Sequence, residues 1–117
     1  MPALDHVQVA MPAGGEDEAR GFYGDLLGMS EVEKPESLRA NGGVWFAERL
    51  HLGVEAPFAP ARKAHPAFVT DDLDAIAERL ARAHRPVVWD TRLPGTRRLY
   101  TADPFGNRIE LIAGPQR

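Results

Sequence analysis

Cysteine is absent from the 117-residue chain, which excludes disulfides, thiolate metal sites and cysteine nucleophiles together. An excess of positive charge is also missing: 14 Lys and Arg stand against 17 Asp and Glu, a formal net charge of −3. Nucleic acid is therefore not an expected partner, because neutralising phosphates needs a basic surface. No apolar run approaches the ~18 residues of a membrane span, so no membrane is expected either. The opening residues, Met1-Pro2-Ala3-Leu4-Asp5-His6, lack the basic and then apolar pattern of a signal peptide. With cysteine absent as well, a cytoplasmic address is the expectation. What remains is an ordinary globular balance, 44% hydrophobic and 26% charged, in a length that suits one compact domain. A metal in such a chain needs histidine and carboxylate ligands.

Leu4 to Ala10 alternates apolar and polar residues, the period of a half-buried strand. Pro12 and Gly14-Gly15 end it, and Glu16, Asp17 and Glu18 complement the positive end of a helix dipole. Ala19, Phe22, Tyr23, Leu26 and Leu27 form a helical apolar stripe, and Gly28 suits a left-handed cap. Ser30 to Lys34 is a weak strand, Pro35 to Ala40 a helical turn, and Val44 to Ala47 and Arg49 to Glu55 read as paired strands. A connector containing Pro57 and Pro60, residues 56–63, precedes a second series. Its first strand is Ala64 to Val69, where Pro66 suggests an edge or a bulge. Capping residues at Thr70-Asp71-Asp72 then lead into a stripe of Leu73, Ile76, Ala77 and Leu80. Pro86 to Trp89, Arg97 to Thr101 and Arg108 to Ala113 read as strands, the last two joined by the turn Asp103-Pro104-Phe105-Gly106-Asn107.

Strand, helix and three strands are thus written twice, giving an α+β domain over residues 1–117. It divides into module 1 (1–55), the connector (56–63) and module 2 (64–117). His6 and His65 open the two modules 59 residues apart, and His51 and Glu110, in the last strands, show the same separation. A lone histidine on a strand is more often a surface or packing residue than a ligand, and a lone glutamate can be the polar half of an alternating strand. Matching positions in both repeats favour the other reading, in which His6, His51, His65 and Glu110 converge on one divalent ion about a pseudo-twofold axis.

The segments Leu4-Asp5-His6-Val7-Gln8-Val9, Phe22-Tyr23-Gly24-Asp25-Leu26-Leu27-Gly28-Met29 and Asp103 to Leu111 resemble the vicinal oxygen chelate superfamily. That group includes glyoxalase I, fosfomycin- and bleomycin-resistance proteins and extradiol dioxygenases. The resemblance covers almost the whole chain. It implies two βαβββ modules whose mixed sheets curl around a cleft, the glyoxalase/bleomycin resistance/dihydroxybiphenyl dioxygenase-like fold. It also implies that His6, His65 and Glu110 are metal ligands, and it suggests a homodimer, with modules paired within a chain or exchanged between chains. Glyoxalase I-like relatives carry glutamate where this chain has His51, so His51 is a fourth ligand, a base or a binding residue. Tyr100 resembles a tyrosine near the site of fosfomycin-resistance enzymes, although strand packing explains it equally well.

Two histidines and a carboxylate suit Fe, Mn, Ni, Co or Zn and leave positions for a small-molecule substrate that chelates through neighbouring oxygens. The expected activity is that of a metal-dependent lyase or dioxygenase, with His51 and Tyr100 as catalytic candidates. His51 in place of glutamate counts against glyoxalase I activity itself. Fosfomycin modification is weakened because the sequence stops soon after the last strand and shows no clear phosphonate-holding cations. The competing class is a metal-free drug- or metabolite-binding protein of bleomycin-resistance type. Core packing is the default for Trp45, Phe46 and Trp89. Arg92, Arg97 and Arg98 either attract an anion or are solvated charges, the latter being the expectation for Arg98. His84 is read as a surface residue after the second helix.

Overall fold

The computed structural model describes residues 1–115. The chain forms two compact units, Met1–Pro60 and from Ala61 onward, and their boundary falls inside the proline-containing connector.

In the first unit, strand β1 (Val7–Met11) leads into a short helix, α1 (Glu16–Ala19), that continues as a π-helix over Arg20–Leu26. The wider turn is visible in the Leu27 N–H donating to the Phe22 carbonyl, five residues back, at 3.1 Å. Gly21 and Gly24 place no side chain in this stretch, while Phe22 and Tyr23 are both buried with their rings edge to face at 4.8 Å. Gly28, at φ +82°, ends the helix as its sequence position suggests. Strands β2 (Glu31–Val32), β3 (Val44–Phe46) and β4 (Leu50–Val54) complete a sheet of order β1-β4-β3-β2, with β1 parallel to β4 and the other pairs antiparallel. Gly43 is required at the start of β3: its φ is +90°, and a Cβ there would lie 2.2 Å from the Leu52 carbonyl oxygen. One sheet face carries Val44, Phe46, Leu50 and Leu52, which are buried with Phe22 and Tyr23. The alternation of a half-buried strand leaves Trp45 and His51 on the other face.

The second unit repeats the plan. Strand β5 (Ala67–Thr70), helix α2 (Leu73–Arg82), β6 (Val88–Asp90), β7 (Arg98–Ala102) and β8 (Arg108–Ala113) give a sheet of order β5-β8-β7-β6. Again the first and last strands are parallel and the other pairs antiparallel. Leu73, Ile76 and Leu80 of α2 and Leu99, Ile109 and Leu111 of the sheet are buried. No side-chain hydrogen bond caps α2 at Asp72; instead Thr70 Oγ1 accepts the Asp72 N–H at 3.0 Å. The turn before β8 is organised by Asp103, which is 2% exposed and accepts the backbone N–H groups of Phe105 and Asn107 at 2.9 and 2.8 Å. His84 is exposed, as its sequence context suggests.

The shared order is that of an α+β fold made of two four-stranded mixed sheets. Strand boundaries are tighter than the sequence pattern suggests: β1 begins at Val7 and β5 at Ala67, so His6 and His65 each stand immediately before, or one proline before, a first strand. Among the described residues no helix is long and apolar enough to cross a membrane.

Candidate functional site

The 59-residue repeat survives in the backbone pairing. Gln8 lies opposite His51 and Ala67 opposite Glu110 in the two parallel ladders, positions that keep the same separation. The antiparallel neighbours of His51 and Glu110 are Trp45 and Tyr100. Each unit therefore sets the histidine that precedes its first strand beside the corresponding residue of its last strand, with an aromatic residue on the adjoining strand.

In the first unit the pair is a ring stack. His6 and His51 lie with centroids 4.0 Å apart and planes 17° from parallel, and Trp45 covers the far face of His51 at 3.8 Å and 7°. Imidazole lone pairs lie in the ring plane, so two near-parallel rings stacked face to face do not aim at a single ion about 2.1 Å from each nitrogen. Burial lowers the pKa of His51, and the nearby His6 lowers it further, which favours the neutral ring. His6 Nδ1 donates to Asp5 Oδ2 at 2.8 Å, leaving Nε2 as the free donor atom of that ring.

In the second unit the pair is polar. His65 Nε2 stands 3.0 Å from Glu110 Oε1, and His65 Nδ1 donates to the Lys63 carbonyl at 2.9 Å. A carbonyl only accepts, so the Nδ1 proton is fixed. Two states then satisfy the Nε2 contact: an imidazolium donating from both nitrogens, or a neutral ring whose lone pair and the carboxylate share a cation. Two donor atoms each ~2.1 Å from an ion and at right angles to one another are themselves about 3 Å apart. The His65–Glu110 spacing thus fits one edge of a coordination shell. Among the described residues no three or more histidine or carboxylate side chains gather into a complete ligand set.

Glu110 is buried at 6% exposure. Burial pushes its pKa up, but hydrogen bonds from His65 and Arg98 and the charge of Arg98 outweigh it, and the net shift is downward. Arg98 Nη1 donates to Glu110 Oε2 at 3.2 Å and Nη2 to Asp90 Oδ2 at 3.0 Å. Asp90, also buried, takes two further guanidinium hydrogen bonds and a backbone one from Arg92, which hold its pKa far below the carboxylate range. The expectation that Arg98 is a solvated charge is therefore corrected: it is mostly buried between two carboxylates. Asp90 carried no signal alone, but Arg98 lies two residues from Tyr100, the ladder partner of Glu110, and strand alternation puts both on the Glu110 face. Tyr100 meets the His65 ring edge-on at 5.5 Å and packs under the Arg108 guanidinium at 3.9 Å. Beside this network, Trp89, Leu93, Pro94, Arg97 and Arg98 line an open cavity of about 580 Å³, a size suited to a small molecule.

Residues 3–111 match the Glyoxalase/Bleomycin resistance protein/Dioxygenase superfamily. Among solved structures, a glyoxalase family protein from Bacillus anthracis is 45% identical over 98% of this chain and 97% of that one, with a TM-score of 0.90. Lactoylglutathione lyase from Agrobacterium tumefaciens is 27% identical, over 97% of this chain and 96% of its own, at a TM-score of 0.63. A glyoxalase/dioxygenase from Nostoc punctiforme, 22% identical over 97% and 92% of the two chains with a TM-score of 0.76, shares the fold. No curated protein matches.

Proposed function

The chain belongs to the Glyoxalase/Bleomycin resistance protein/Dioxygenase superfamily, and on that premise we propose that it is a metal-dependent enzyme acting on a small molecule with neighbouring oxygens. The observation that carries this reading is the His65–Glu110 contact, in which Nδ1 is committed to a backbone carbonyl and Nε2 faces a carboxylate at 3.0 Å. His65 and Glu110 would hold the ion, and His6, whose Nδ1 is likewise committed, is the third ligand that the family resemblance implies. Fe, Mn, Ni, Co and Zn all suit two imidazoles and a carboxylate. Once bound, such an ion supplies Lewis acidity that stabilises negative charge on a chelated oxygen.

The chain's own residues do the rest. His51, whose pKa is lowered by burial, is suited to accept a proton from the substrate, which accords better with a base than with a fourth ligand. Tyr100 packs against His65 and is the candidate for a hydrogen bond to a substrate oxygen. The family relatives include lyase and dioxygenase names, and this chain's reaction is of one of those types. A cytoplasmic homodimer is the accompanying proposal, taken from the composition and the family resemblance.

A second reading, a metal-free small-molecule binder, is favoured by one fact: protein donors already face both Glu110 oxygens. Titration of tag-free protein with Zn(II), Co(II), Ni(II), Mn(II) and anaerobic Fe(II) separates the two. The enzyme reading predicts about one equivalent bound per chain and turnover in a screen of vicinally oxygenated compounds. Absence of uptake of every metal sinks it and leaves the binder.

A further inference from the structure

The two oxygens of Glu110 are not equivalent. Oε1 faces His65 Nε2, whereas Oε2 is held by Arg98 Nη1 at 3.2 Å. Arg98 is itself anchored, because its Nη2 donates to Asp90 Oδ2 at 3.0 Å and its side chain is only 18% exposed. Asp90 is in turn fixed by Arg92, through Nε at 2.9 Å, Nη2 at 2.7 Å and the backbone N–H at 3.0 Å. The arginine is thus clamped in place by a buried carboxylate and reaches Glu110 with one N–H. A carboxylate free on both sides can take two coordination positions on one ion, while one tied through a single oxygen takes only one. The negative charge of Asp90 also offsets the guanidinium, so that Glu110 keeps its attraction for a cation.

We propose that Arg98, clamped by Asp90, is a positioning residue that restricts Glu110 to coordination through Oε1 and so reserves one metal position for substrate. This rests on the metal-dependent reading above. It assigns Arg98 a role opposite to that of an ordinary structural ion pair. Its removal frees a second ligand oxygen and deletes a repelling charge, so the metal binds more tightly while the room for substrate shrinks.

The test uses Mn(II) as the probe and counts exchangeable inner-sphere waters by water-proton relaxation, with affinity from the same titration. Arg98→Met is expected to bind Mn(II) about tenfold more tightly, the scale of outer-shell effects on metal sites, and to lose one exchangeable water. Arg98→Lys, which keeps a donor for Oε2, is expected to retain the wild-type water count. Should Arg98→Met leave too little folded protein, the charge-matched double variant Asp90→Asn/Arg98→Met must show the same loss of one water. An unchanged water count in metal-loaded Arg98→Met, or in the double variant, overturns the proposal while leaving the metal reading intact. Wild-type protein that takes up no Mn(II) or other divalent ion overturns the metal reading itself, and this inference with it.

Discussion

The two units share a strand order and a ladder register, yet they use the matching positions for different chemistry. At the end of the second unit's parallel ladder stands a buried carboxylate, held by His65 and Arg98 and connected through Asp90 to Arg92. At the corresponding place in the first unit stands His51, a ring packed between His6 and Trp45. A repeated backbone therefore fixes where a side chain projects without fixing what it does there. The nearest neighbours decide that: hydrogen bonds from His65 and Arg98 lower the Glu110 pKa, while partial burial and the nearby His6 lower that of His51 and favour its neutral form.

The sharpest way to break this contrast is to delete each residue in turn. Glu110→Ala removes a proposed ligand and leaves Arg98 short of one of its two carboxylate partners, so metal affinity is expected to fall by about 100-fold or more. His51→Ala removes a stacked ring outside the proposed ligand set, and affinity is expected to stay within about threefold. Equal losses in the two variants, read by competition against a chelator, would make the modules alike.

A smaller effect separates the units by pH. The pKa of His51 is lowered from 6.5, so the unfolded chain binds its proton more readily. Its contribution to stability is complete above pH 6.5 and is lost as pH falls through the folded value. Asp90 and Glu110 are lowered from 3.8 and 4.5, so their contributions hold above those values and are lost only in more acidic solution. Denaturant unfolding across pH should therefore show two windows of declining stability. Trp45→Ala exposes His51 and should flatten the upper window while leaving the lower one; loss of both windows in that variant would contradict the assignment.

Much of this was legible in the residues. The strand Arg108 to Ala113, the turn built on Asp103 and the left-handed Gly28 follow from alternation, turn chemistry and capping, which are local properties. The 59-residue separation of His51 and Glu110 reappears in the ladders, where Gln8 and Ala67 are their partners, because a repeat in sequence is a repeat in pairing; His6 and His65 stand just before those ladders. Less visible was whatever depends on neighbours distant in the chain. The stripe from Ala19 to Leu27 suits either helical winding, and only the structure shows π-turns over Arg20–Leu26 with the Phe22 and Tyr23 rings edge to face. Pro86 and Val87 precede β6 instead of joining it, since pairing with β7 spans only Val88 to Asp90. Arg98 read as a surface cation because its carboxylates lie 8 and 12 residues away and meet it only across strands.

The central claim is that metal goes to His65 and Glu110 and passes over the ring between His6 and Trp45. Imidazole nitrogen NMR during Zn(II) titration tests it most directly. The expected result is a large shift at His65 Nε2, with His6 Nε2 following and both His51 nitrogens unchanged. A spectrum in which His51 moves and His65 does not would contradict the account.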